Sequence, residues 1–269
     1  MLPDHDSPGD LPTADGLEVT LEGGVLRATF SRPETFNALT GEIALALADL
    51  LEQVPSRDDV RVVVIGGTGG AFCAGADIGG EDAIERFDVR AMDVTNRIIR
   101  AITACDRPVV AAVNGVAAGV GCSIALACDL VVAAESSSYL LAFARIGFMP
   151  DGGASATVAA SIGRARAMRM ALLAEPLSAA EALETGLVSH LAPDAEHPAL
   201  VEKIVGRLAS GPPLAYAATK KAVNAATLVP LEDALERERT GQTVLMRTAD
   251  AAEGMRAFSE RRRPVFRGE

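Results

Sequence analysis

Residues 109–130 read VVAAVNGVAAGVGCSIALACDL, a pattern that can do chemistry through its backbone alone. An apolar run, 109–113, enters a turn of small residues, 114–121, and then a helix-like segment, 122–128. Small residues let a ligand or a second backbone come close. A helix that starts at such a turn leaves its first N–H groups unpaired and pointing outward. Those groups can bind a phosphate or stabilise an oxyanion. A tight turn needed only for packing is the alternative. Two further loops share this character: GGTGGAFCAGADIGG at 66–80, and FARIGFMPDGG at 143–153, which surrounds a single carboxylate, Asp151. Ala71, Phe72, Cys73 and Ile78 are apolar and favour an ordered loop over a disordered one.

Other chemistries lack their residues. Of the three histidines, His5 lies near the start, and His190 and His197 flank a proline-containing loop. No Gly-x-Ser-x-Gly elbow occurs, which disfavours a Ser–His–Asp hydrolase. No HExxH pair is present, so no metal site is expected. Cys73, Cys105, Cys122 and Cys128 form no CxxC pair and read as reduced core thiols. A nicotinamide fingerprint fails at Ile124, where its third glycine is required.

These loops need strands and helices to hold them. Segments 17–21 and 25–31 read as a hairpin. Thr40 caps an amphipathic helix over 42–53 that ends before Pro55. The runs 62–65, 109–113 and 130–134 are short, apolar and Gly-bounded, as strands covered on both faces are. Helical spacing runs over 82–105, small residues suggest a helix over 154–174, and 178–185 is a capped helix stopped by Gly186. A strand follows at 188–191. From about residue 196 the pattern is helical to 261, broken at 211–213 and at Pro230. The expected organisation is a disordered leader over 1–15, an α/β core over 16–192 and a helical region over 193–269. The helices at 213–227 and 231–246 have apolar stripes to bury, on the core or on another subunit.

The chain has 269 residues, enough for one large core. Its formal net charge of −11 argues against nucleic acid or an anionic membrane surface as partner. No apolar stretch approaches the roughly 18 residues of a membrane span. The first residues are acidic and rich in Pro and Gly, unlike a signal peptide. A cytoplasmic protein is the expectation.

Several motifs recur in one order: RPETFNAL at 32–39, AFCAGADI at 71–78, AVNGVAAGVGCS at 112–123, PDGG at 150–153, GRARAM at 163–168, LSAAEALETGLVSHL at 177–191 and EGMRAFSERRRPVF at 253–266. Together they resemble the enoyl-CoA hydratase/isomerase family, the crotonase superfamily. The resemblance implies a ClpP/crotonase-like spiral of ββα turns with a C-terminal helical trimerisation region, assembled as a homotrimer or a dimer of trimers. It implies an acyl- or enoyl-CoA thioester as substrate, with no other cofactor.

It also implies that two backbone N–H groups hold the thioester oxygen as it becomes an enolate. Matching motifs puts these at Ala74 and at Val120, where the family commonly has a glycine. A β-branched residue there resists positive φ. Acyl-CoA contacts carry over to Thr35, Phe36, Ala38, Gly75, Ala76, Asp77, Ile78 and Gly119, and Lys220 matches a lysine near the CoA end. Asp77 also suits a loop-structuring role, Lys220 a solvated helix charge, and Asn37 a turn.

Hydratases of the family use two glutamates, and the matching positions here are Ser123 and Phe143. Neither residue supplies a carboxylate. Some isomerases of the superfamily, including a ring-epoxide isomerase acting on phenylacetyl-CoA, resemble this chain in carrying Asp in a PD-x-G setting. Asp151 is then the acid/base of a double-bond or ring isomerisation, with Phe143 walling a dry acyl pocket. The rival role for Asp151 is to cap the helix that follows. Two other functions stay open: a weak hydratase, and a non-catalytic acyl-CoA-binding protein.

Overall fold

The computed structural model describes residues 11–79 and 88–269. Strands β1 (Leu17–Glu22) and β2 (Val25–Phe30) form the expected hairpin. Gly23 and Gly24 close it at φ 58° and 80°, a conformation open to glycine at no steric cost. Strands β3 (Val62–Gly67), β5 (Val109–Val113), β7 (Leu130–Ala134) and β10 (His190–Ala192) extend it in parallel, in the order β1-β2-β3-β5-β7-β10. A second sheet contains β4 (Ala71–Cys73), β6 (Val116–Ala118), β8 (Ser138–Leu140) and β9 (Leu177–Ser178).

The chain steps from the large sheet to the small one three times, from β3 to β4, β5 to β6 and β7 to β8. Each step leads on to a helix: α2 (Val89–Ala104), α3 (Val120–Ala127) or α4 (Ala154–Leu173). Helix α1 (Gly41–Gln53) precedes them, capped by Thr40 as read from the sequence. The result is the expected spiral of ββα turns. Its main core includes Phe30 and Phe72, which meet edge to face with ring centroids 5.8 Å apart.

Several sequence boundaries shift. β4 lies inside the supposed loop 66–80, and β6 inside the supposed turn 114–121. Strands of three residues are too short to show a period. Leu11 packs on the core and Ala14 bridges to Leu17, so residues 11–15 are not a disordered leader. Residues 1–10 lie outside the described residues. So does the first part of the helix expected over 82–105; α2 begins at Val89 behind an Asp88 cap. The last strand is β10, slightly later than the expected 188–191.

Helix α5 (Ala179–Thr185) has a full capping box from Ser178 and Glu181 and stops at Gly186 with φ 83°. Helix α6 (His197–Ala209) sets Val201 and Val205 on the far face of the large sheet, against Val62, Val64, Val110 and Val132. It therefore completes the core instead of standing apart from it. Helix α7 (Pro213–Thr227) buries no whole residue, though the Lys220 side chain on it is largely covered. Helix α8 (Leu231–Leu245) packs on α2 and α4, and α9 (Ala249–Ser259) on the 3-10 turn Ala142–Ile146. Helix α4 is broken at Gly163, where φ 78° and ψ 162° leave the helical region. Among the described residues no helix is long and apolar enough to cross a membrane.

Candidate active site

The loops after β2, β4 and β6 converge. Asn37, buried at φ 59°, accepts the Arg32 N–H and donates to the Thr68 and Ala71 carbonyls at 2.9 and 2.8 Å. It is a turn-former that also fastens two loops together. Thr35 Oγ1 donates to the Arg32 carbonyl, and Ala38 lies buried one turn on. Arg32 Nη1 donates to the Ala38 carbonyl and to Asp77 Oδ2, at 2.8 and 3.1 Å. Asp77 Oδ1 accepts the Gly79 N–H. Asp77 thus structures its loop. Ile78 packs on the main core, and Phe36 is exposed at φ 53°.

The Ala74 N–H, expected as an oxyanion donor, instead donates to the Phe36 carbonyl at 2.9 Å. Two residues on, Ala76 bridges to Leu39 in parallel register. Leu39 gives its N–H to the Gly75 carbonyl and takes the Asp77 N–H. That pairing turns the Ala76 N–H to the opposite side, where no hydrogen bond engages it among the described residues. The Ala74 N–H is thus engaged and the Ala76 N–H is free among the described residues: neighbouring N–H groups of an extended loop point to opposite sides, and pairing decides which is left.

The second donor position stands differently. Val120 is the first residue of α3, and Gly119 before it takes the positive φ, 53°. The objection to a β-branched residue at 120 therefore falls away. The Val120 N–H is one of the unpaired groups at a helix start. Gly75 and Gly119 face each other: a Cβ built on Gly75 would lie 3.0 Å from the Ala118 carbonyl and 3.5 Å from Gly119 Cα. Two glycines thus bring the loop of Ala76 against the start of α3.

Three residues into α3, Ser123 donates from Oγ to the Asp151 carbonyl at 2.7 Å. Three residues, about 4.5 Å of helical rise, separate Val120 from this anchor. Asp151 is buried, and it does not cap α4: the Gly153 cap has no side-chain partner from the turn itself. Asp151 Oδ2 accepts from Gln242 Nε2 at 2.9 Å. Its Oδ1 is buried with no hydrogen-bond partner among the described residues. Burial pushes the carboxyl up to about 7; the Gln242 hydrogen bond opposes that rise and the nearby Glu238 charge adds to it. Phe143 is buried in the main hydrophobic core.

The cap of α4 comes from Glu238, which the sequence reading missed. Its Oε2 accepts the Gly153 N–H at 2.6 Å, and its Oε1 accepts the Ser155 N–H at 2.9 Å and the Ser155 hydroxyl. Gln242, one turn along α8, was missed too. A signal existed: Leu231, Leu235, Glu238 and Gln242 recur at helical spacing, so two polar residues continue an apolar stripe. The Lys220 side chain, expected near the CoA end or as a solvated helix charge, is largely buried. Its Nζ donates to Asp129 Oδ2 at 2.8 Å and to the Ile102 carbonyl at 2.7 Å.

Comparison with known proteins finds relatives along nearly the whole chain. The enoyl-CoA hydratase/isomerase family model matches residues 20–269. A Rhodobacter capsulatus protein named "Probable enoyl-CoA hydratase" is 40% identical over 94% of this chain and 98% of its own. The 1,2-epoxyphenylacetyl-CoA isomerase of Escherichia coli is 35% identical over 93% of this chain and 97% of its own. The crystal structure of an enoyl-CoA hydratase from Mycobacterium avium subsp. paratuberculosis superposes with a TM-score of 0.87 at 51% identity, covering 94% of this chain and 98% of that one. By sequence and by fold, the chain belongs to the enoyl-CoA hydratase/isomerase family.

Proposed function

We propose that this protein is an acyl-CoA isomerase that moves a double bond or opens a strained ring through a thioester enolate. The observation that carries this reading is Asp151: a buried carboxyl with one free oxygen and a proton affinity near neutrality. A general acid/base works best when its pKa lies near the operating pH. Ser123 is engaged in holding Asp151, and the Phe143 ring transfers no proton.

In this reading the thioester oxygen lies between the Ala76 and Val120 N–H groups. With a 3-enoyl thioester, Asp151 takes a proton from C2, and the C–H electron pair spreads into the dienolate. The two N–H groups hold the developing negative charge. Asp151 then returns the proton to C4, leaving the double bond between C2 and C3. The change is redox-neutral and needs no metal, flavin or nicotinamide. Thr35, Phe36, Ala38, Gly75, Asp77 and Ile78 frame the approach to the thioester, with Phe143 at the acyl side. Helix α7, which leaves Leu214 and Val223 exposed, supplies the surface for a trimer or a dimer of trimers.

Solvent-deuterium exchange into bound acyl- and enoyl-CoA thioesters tests the assignment. Exchange by the wild type that is lost in Asp151→Asn supports it. Undiminished exchange in Asp151→Asn overturns it. A hydratase is the second reading, favoured by the names of several relatives. Rapid conversion of crotonyl-CoA to its 3-hydroxy product supports that alternative.

A further inference from the structure

We propose that Gln242 is a positioning residue that confines the mobile proton of Asp151 to a single oxygen, Oδ1. This inference rests on the reading of Asp151 as acid/base and adds the device that governs it.

The argument is one of hydrogen-bond polarity. Gln242 Oε1 accepts the Met149 N–H at 3.1 Å. Its Nε2 donates to the Met149 carbonyl and to Asp151 Oδ2, both at 2.9 Å. A flipped amide would set Nε2 against the Met149 N–H, donor against donor. The Met149 backbone therefore locks the amide, and Asp151 Oδ2 always faces an N–H. An oxygen that accepts from a fixed donor is the poorer place for a proton. The proton, when present, sits on Oδ1, which has no partner among the described residues. Of the two oxygens, Oδ1 is then the one left unengaged to exchange a proton with a substrate carbon.

Glu238 is the charged group that Asp151 feels from α8. Its two oxygens are occupied by Gly153 and Ser155, which hold it in place. From α2 and α3 the neighbours at the adjoining Gly152 are Thr95 and Ser123, both uncharged. Gln242 and Glu238 thus act on the same carboxyl with opposite sign: the donor favours its ionised form and the negative charge favours its neutral form.

The test is a carbon-13 NMR titration of aspartate-labelled protein, with Asp151→Asn identifying the signal. Gln242→Met is expected to move the Asp151 midpoint upward by about one unit, and Glu238→Gln to move it downward. The midpoint of the deuterium-exchange profile should follow both shifts. A merely structural Gln242 would lower the rate with no change in midpoint, and that result overturns the inference. If the carboxyl midpoint moves as stated while exchange ignores it, positioning stands and the acid/base reading falls. If Gln242→Met does not fold, the unmodified protein decides. The Gln242 side-chain amide signals must titrate with the Asp151 midpoint and stop doing so in Asp151→Asn; signals that do not titrate overturn the proposal.

Discussion

Lys220 and Asp129 form an ion pair at 2.8 Å, and the same Asp129 oxygen accepts the Val109 N–H at 2.7 Å. One carboxylate thereby ties α7 to the start of β5. The lysine side chain is 8% exposed and the aspartate 22%. Burial raises the Asp129 carboxyl, and Lys220 opposes that rise.

Removing the lysine leaves a poorly solvated negative charge. Lys220→Ala should cost about 3 kcal/mol of stability, read from guanidinium denaturation. The double variant with Asp129→Asn should recover at least half of that loss. Acyl-CoA affinity per folded molecule should be unchanged. A large loss of affinity would return Lys220 to the substrate site.

Asp151 links stability to pH. Its carboxyl is raised from 3.8 to about 7 in the folded protein. Below the unfolded value, near pH 4, both states hold the proton and folding loses nothing. As pH climbs toward 7 the unfolded chain releases the proton while the folded chain keeps it, so stability falls, by at most about 1.4 kcal/mol per unit of pKa difference. Asp151→Asn should therefore match the wild type at pH 4 and exceed its Tm at pH 8.

Glu238 should be worth more to stability than an ordinary helix cap. Glu238→Ala removes an acceptor from Gly153 and from both donors of Ser155. A loss of about 3 kcal/mol is expected, with helix content falling first around α4 in hydrogen exchange. Unchanged protection at 154–162 would refute the capping role.

The glycine contact can be probed directly. A methyl group at residue 75 would meet the Ala118 carbonyl at 3.0 Å in a backbone held at φ 102°. Gly75→Ala should part the loop of Ala76 from α3. If those N–H groups form the oxyanion site, deuterium exchange should fall by roughly 10²-fold or more.

How much of this was legible depended on range. The runs at 62–65, 109–113 and 130–134 announced buried strands because covering both faces leaves no polar alternation. Thr40, Ser178 and Gly186 marked helix ends through local chemistry. β4 and β6 were hidden, since a three-residue strand between glycines has the composition of a loop. Asp151 could be singled out as a carboxylate among Gly and Pro. Its partners lie 87 and 91 residues later on α8, and only the tertiary fold brings them together. The loop at 71–78 could be singled out, but which of its N–H groups stays unpaired could not, because hydrogen-bond direction along an extended segment has no signature in residue type.

The break at Gly163 has a consequence for packing. The inner half of α4 is pinned by Glu238 and buries Ala156, Val158 and Ile162, whereas the outer half leaves Leu172 and Leu173 exposed. The kink lets each half lay its own side chains on the core, Ile162 before the break and Met170 after it. One bend thus lets a single twenty-residue segment serve the core twice, first beside Asp151 and again at Met170, while its last turn stays at the surface.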